Sequence, residues 1–152
     1  MKTYFLRLLE YIEWSDRRVL ELLRRSNDPS AEARRWFAHI LSAEQIWLQR
    51  LQGQTSELEA WPDLSLDQCA AISESNMAGT REYLDGLEEH DLETRVKYTT
   101  TGGSTFKTAV RDILTHVAFH GAYHRGQIAC ALRSEGEKPA STDYIMFVRG
   151  AG

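Results

Sequence analysis

The chain has 152 residues, the size of one ordinary domain and enough to bury a core without disulfides or metals as staples. Its 42% hydrophobic and 26% charged content excludes disordered, collagen-like and low-complexity classes. A formal net charge of -4 lacks the basic excess of a surface that grips phosphates, so no nucleic acid is expected as a partner.

Apolar residues recur at three- and four-residue spacing along most of the chain. A first helix is expected from about Thr3 to Arg25, with Phe5, Leu8, Leu9, Ile12, Val19, Leu20 and Leu23 as its stripe. Arg7 and Glu10 interrupt the apolar run that a signal peptide needs. No stretch approaches the roughly 18 consecutive apolar residues of a membrane span, so no membrane partner is expected. Asn27-Asp28-Pro29-Ser30 breaks the pattern, because proline cannot continue a helix interior. Ser30 can cap a second helix that runs to about Gln52 and stops at Gly53. The stretch up to Leu64 has no clean period and reads as a connection.

Ser65 opens a third helix that reaches about Leu87, weakened by Gly79. Thr94 to Phe106, rich in Thr, Val and Tyr around Gly102-Gly103, predicts a short hairpin or an extended loop. The fourth helix is the best patterned, from about Lys107 to Glu135, with Gly136 as its stop. Tyr144, Ile145 and Phe147 make the tail too apolar to hang free. The expected fold is all-α: one helical-bundle domain over residues 1–152, of four helices, with the hairpin or loop before the last of them. Cys69 and Cys130 lie far apart, outside any C-x-x-C pattern, which suits a reducing, cytoplasmic setting.

The fourth helix carries His116, His120 and His124 at intervals of four, where side chains stack one above the other. At about 100° per residue, with Val117 at zero, His124 lies near -20°, His120 near -60° and His116 near -100°. His124 is then in the middle of the apolar stripe, His120 inside it and His116 on its flank. Gly121, near +40°, leaves room for a neighbouring helix or a ligand, while Arg125, near +80°, can turn outward to a neighbouring helix or a second subunit. Cys130 falls near -140°, away from the histidines. One inward imidazole is an ordinary hydrogen-bonded core residue; two stacked ones each need polar partners in an apolar layer, and one metal ion serves both. A third ligand must come from elsewhere. His90 sits in a charged exit, Glu88-Glu89-His90-Asp91, and reads as solvated. His39, on the second helix, lies at the border of its stripe, as either a ligand or an edge residue. Glu44 is central between Ile40 and Trp47, so its carboxylate must be paired, be protonated, or touch a metal or its water.

The run His120-Gly-Ala-Tyr-His124-Arg125-Gly126-Gln127-Ile128, with the second-helix text His39-Ile-Leu-Ser-Ala-Glu44-Gln-Ile-Trp47, resembles the DinB/YfiT-like family of bacterial four-helix metalloproteins. Tyr11-Ile-Glu-Trp14-Ser-Asp16 resembles that family's first-helix pattern, with Asp16 where asparagine is common, and Thr142-Asp143-Tyr144-Ile145 its tail. The resemblance implies a divalent metal, zinc or nickel, held by His39, His120 and His124, and it implies homodimers. It also implies reactions such as thiol-dependent transfer and isomerisation with low-molecular-weight thiols. Three protein ligands leave a coordination position open to water or substrate. The expected function is therefore a metal-dependent enzyme that activates a small thiol or water against a small electrophilic substrate, by transfer or hydrolysis. Glu44, His116 and Tyr123 are candidates for orienting ligands or handling protons. The alternatives are a non-catalytic metal-binding dimeric bundle with a structural or stress-related role, and a bundle whose histidines pack without metal.

Overall fold

The computed structural model describes residues 1–25, 30–56, 58–100 and 102–150. Four long helices, α1 (Lys2–Arg25), α2 (Ala31–Leu51), α3 (Leu66–Asp85) and α4 (Val110–Ser134), form an all-α bundle. Helix α1 packs on α3 and α4, and α2 on the same two, so each helix has two principal neighbours. The proposed break over Asn27, Asp28 and Pro29 lies outside the described residues.

The helix ends follow local chemistry. The Ser30 hydroxyl accepts the Ala33 N–H at 3.2 Å and donates to the Glu135 carboxylate at 2.7 Å, tying the start of α2 to the end of α4. Ser65 and Gln68 form a reciprocal capping box at α3. Gly53 and Gly136 follow α2 and α4 with φ of 73° and 82°, the left-handed conformation that stops a helix and suits glycine. Helix α3 ends at Asp85, short of Leu87, and a 3-10 turn at Glu89–Glu93 that periodicity did not separate comes next.

Strands β1 (Arg95–Thr99) and β2 (Thr105–Ala109) pair antiparallel with Arg95 opposite Ala109 and Thr99 opposite Thr105. The hairpin reading thus holds over the extended-loop one, and β2 absorbs Lys107–Ala109, so α4 begins three residues later than expected. Ala109 offers α4 no side-chain cap; the Val110 N–H donates instead to the Thr94 carbonyl at 3.0 Å, across the base of the hairpin. The tail packs back as expected, through a short helix α5 (Tyr144–Val148). Tyr11 meets Tyr144 edge-on at 5.2 Å, and its hydroxyl donates to the Thr142 carbonyl at 2.9 Å.

Two apolar clusters fill the bundle. Phe5, Leu8, Ile12, Leu84, Ile113 and Leu114 belong to the one at the hairpin end. Val19, Leu23, Phe37, Leu41, Ile128 and Leu132 belong to the other. Between them lies a waist of buried polar groups: Ser15, Asp16, Glu44, Asn76 and Arg125. Among the described residues no helix is long and apolar enough to cross a membrane.

Candidate metal centre

Helix α2 brings His39, and α4 brings His120 and His124, to one place where their ligand atoms all lie within 4.8 Å of one another. The Nε2 atoms of His120 and His124 are 3.1 Å apart. His39 Nδ1 meets the Ala60 carbonyl at 2.6 Å, and His124 Nδ1 meets Gln127 Oε1. Both partners are oxygens that only accept, so Nδ1 carries the proton in each ring and Nε2 keeps its lone pair. Burial, reinforced by the neighbouring imidazoles, holds His120 down to about 3. Burial also lowers His39, against the opposing pull of the Ala60 carbonyl. Neutral imidazoles with fixed tautomers are the form that binds divalent ions. This donor set, three nitrogens and no thiolate, fits a divalent metal ion.

The fourth-helix wheel placed these side chains well, since His124 is 9% exposed, His120 is half-buried and His116 is exposed. His39 is 8% exposed rather than at an edge, because the chain after α2 folds back over it. The Ser42 hydroxyl donates to the Glu59 carbonyl one turn away, so two α2 side chains pin residues 59 and 60. Trp61 then stacks on the His39 ring at 3.8 Å and 5°, and Trp36 stacks on His124 at 4.8 Å. Trp36, Trp61 and Gln127 were missed in the sequence. Trp36 and Gln127 carry a readable signal, each three residues from a histidine on the same helix face; Trp61, in a connection without a period, carries none.

Other candidates fall apart from the trio. His116 lies one turn from His120, ring centroids 5.4 Å apart, and leans on Trp47 at 5.1 Å. Tyr123 is exposed and meets His124 edge-on at 5.1 Å. His90 is exposed beside Asp91. Both cysteines are free thiols: Cys130 is exposed, and burial pushes Cys69 up to about 11.

Glu44 is not brought to the imidazoles. It lies in the polar waist, where the Asn76 side-chain N–H donates to the Leu41 carbonyl at 2.8 Å and to Glu44 Oε2 at 3.4 Å. Of the two partners expected for Arg125, a neighbouring helix or a second subunit, the structure supplies the neighbouring helix, reached by a buried rather than an outward side chain. Its guanidinium, 1% exposed, pairs with the fully buried Asp16 carboxylate on α1 at 3.1 Å. The wheel drew one stripe, but α4 packs on both α2 and α1, and its buried face is wide enough to include position 125. The space that Gly121 leaves is taken by a side chain of its own helix. A Cβ there would sit 2.9 Å from Arg125 Nη1, so the glycine clears space for that guanidinium.

The waist holds two carboxyls and one guanidinium, and a single cation can balance only one of them. Burial raises both carboxyls, Glu44 well above the usual range because the Asp16 charge beside it adds to the effect. Among the described residues Asp16 Oδ2 and Glu44 Oε1 find no hydrogen-bond partner. Glu44 is therefore the carboxyl that keeps its proton, and Asp16 is the counter-ion of Arg125.

The family model described as DinB matches residues 1–151 of the chain. The chain is also 25% identical, over 166 aligned residues, to the protein DinB of Bacillus subtilis (strain 168), covering 97% of this chain and 95% of that protein.

Proposed function

Because the chain belongs to the DinB family and gathers three imidazoles whose ligand atoms all lie within 4.8 Å of one another, we propose that it is a divalent-metal-dependent enzyme. His39, His120 and His124 hold the ion, zinc or nickel, and the substrate is a small electrophile attacked by a small thiol or by water. The observation that carries this reading is the pair of Nδ1 anchors, Ala60 and Gln127, which aim two rings from two helices at one point. A divalent ion so held lowers the pKa of a bound thiol or water and supplies a nucleophile near neutral pH.

The side chains around the trio have separate tasks. Trp36 and Trp61 cover two of the rings with apolar surface, exclude water from them and hold their planes. His116, one turn from His120 and exposed, takes or gives a proton at its ring nitrogen when substrate is bound. Tyr123 offers its hydroxyl beside His124 for the same purpose. Glu44 acts at a distance, holding α2 against α3 and α1 through Asn76 and Asp16. The protein works in the cytoplasm as a homodimer, in keeping with its free thiols and its family.

Metal content by mass spectrometry on tag-free protein, purified without chelators, tests the proposal. Near one equivalent is expected, lost in both His39→Ala and His124→Ala, with transfer of small thiols to electrophiles lost in step. Metal retained by His39→Ala removes that residue from the site. A folded protein that stays metal-free after soaking in zinc or nickel overturns the reading.

A further inference from the structure

Beyond the imidazoles, where α2 ends, the loop after it and strand β1 enclose a second cleft of about 340 Å3. Its described lining holds two cations, Arg50 from α2 and Lys97 from β1, and no acidic side chain. The Arg50 guanidinium lies over the Trp47 ring at 4.5 Å and the Tyr98 ring at 5.2 Å. Two aromatic faces thus hold the plane of the fork without consuming its N–H donors. Among the described residues neither Arg50 nor Lys97 forms an ion pair. Partial burial also lowers the pKa of Arg50 from its ordinary value, a sign that water does not solvate the cation fully.

The hydroxyls of the lining are similarly poised. Ser56 Oγ accepts the Leu58 N–H and Thr100 Oγ1 accepts the Ser104 N–H, and neither hydroxyl donates to another of the described residues. The chain as a whole carries -4, which makes two cations without an ion pair among the described residues a local exception rather than part of a basic surface.

We propose that this cleft binds the oxyanion group, carboxylate or phosphate, of a small molecule. Arg50 is its bidentate partner, Lys97 its second charge, and Ser56 and Thr100 its hydroxyl donors. The site stands whether or not an ion occupies the imidazoles. It adjoins them through His116, one turn from His120, because Trp47, which holds Arg50, also packs on His116.

The test is titration of the full chain with inorganic phosphate and, separately, with malonate, followed by amide chemical shifts, with chloride at matched ionic strength as the control. Saturable shifts are expected at Gly53–Ser56 and Lys97–Thr100. Losing one charged hydrogen-bonding partner should weaken binding about 10-fold or more in Arg50→Gln, and Lys97→Gln should weaken it too. Arg81→Gln, which removes a cation paired with Glu13 on another face, should change nothing. Lys97 is exposed on a strand, so its variant reads the cleft even if Arg50→Gln perturbs the fold. Saturation by phosphate alone, by malonate alone or by both identifies the oxyanion recognised. Shifts that do not saturate, that chloride reproduces, or that survive unchanged in folded Arg50→Gln and Lys97→Gln overturn the proposal.

Discussion

Replacing Arg125 by Met asks what the buried waist requires. The guanidinium is 1% exposed and its partner Asp16 0% exposed, so water cannot take over when the cation is removed. Glu44 already holds a proton, and Asp16 would have to gain one as well. Keeping that carboxyl protonated at pH 7, when its ordinary value is 3.8, costs about 1.4 kcal/mol per pH unit, or about 4 kcal/mol. The figure falls within the roughly 3–5 kcal/mol found when one partner of a buried pair is deleted. For a domain of this size it lowers the melting temperature by about 10–15 °C.

Asp16→Asn behaves differently. The remaining carboxyl, Glu44, can release its proton and balance Arg125, so only about 1–2 kcal/mol should be lost. The double variant Arg125→Met, Asp16→Asn carries no trapped charge and should recover more than half of the single-variant loss. The sign of the pH effect is also determined. In Arg125→Met the folded pKa of Asp16 lies above its unfolded value, so stability is retained at low pH and lost as pH rises through that window. Against wild type, the deficit should be smaller at pH 5 than at pH 7 by about 2.7 kcal/mol. Urea denaturation followed by tryptophan fluorescence measures all of this. A deficit for Arg125→Met that is no larger than that of Asp16→Asn, or that stays constant from pH 5 to 8, would refute the charge count.

Glu44→Gln replaces a protonated carboxyl by an amide of its shape. It should lie within about 1 kcal/mol of wild type near pH 5 and gain on it as pH rises, because only wild type gives up stability while Glu44 is forced to keep its proton; the same urea series checks it. Two glycines of α4 separate helix propensity from packing. Gly126→Ala meets nothing within 4 Å and should stabilise by about 1 kcal/mol, whereas Gly121→Ala presses on the Arg125 guanidinium and should destabilise by about 1–2 kcal/mol in thermal melts. Gln127→Ala removes the acceptor that fixes the His124 tautomer and should weaken zinc binding about 10–100-fold in competition with a chromophoric chelator; unchanged affinity would show that the anchor is idle.

The bundle and the α4 imidazoles were legible because both rest on one helix at a time. Ser30 and Ser65 announce helix starts through their own hydroxyls, and the four-residue spacing of His116, His120 and His124 decides which ring points inward. Errors arise where a neighbour completes what a helix begins. The start of α4 was misplaced because its first N–H is satisfied by Thr94 across the hairpin, not by a capping side chain. The bond of Arg125 to a neighbouring helix was foreseen, but its burial was not, because one wheel sees one stripe while α4 is covered from two sides. Glu44 was rightly read as needing a partner or a proton; that the partners come from Asp16 and Asn76, on two other helices, is beyond spacing.

The segment between α2 and α3 carries no imidazole, yet it touches both sites. Gly53 to Ser56 and Leu58 line the cationic cleft, residues 59 and 60 are bonded to Ser42 and His39, and Trp61 lies flat on His39. Linkage makes such an arrangement reciprocal: whatever immobilises the segment from one end raises affinity at the other by the same factor. On the two proposed sites, occupancy would be correlated through a strip that contributes no imidazole of its own, and the amides of its described residues should record both events in hydrogen exchange.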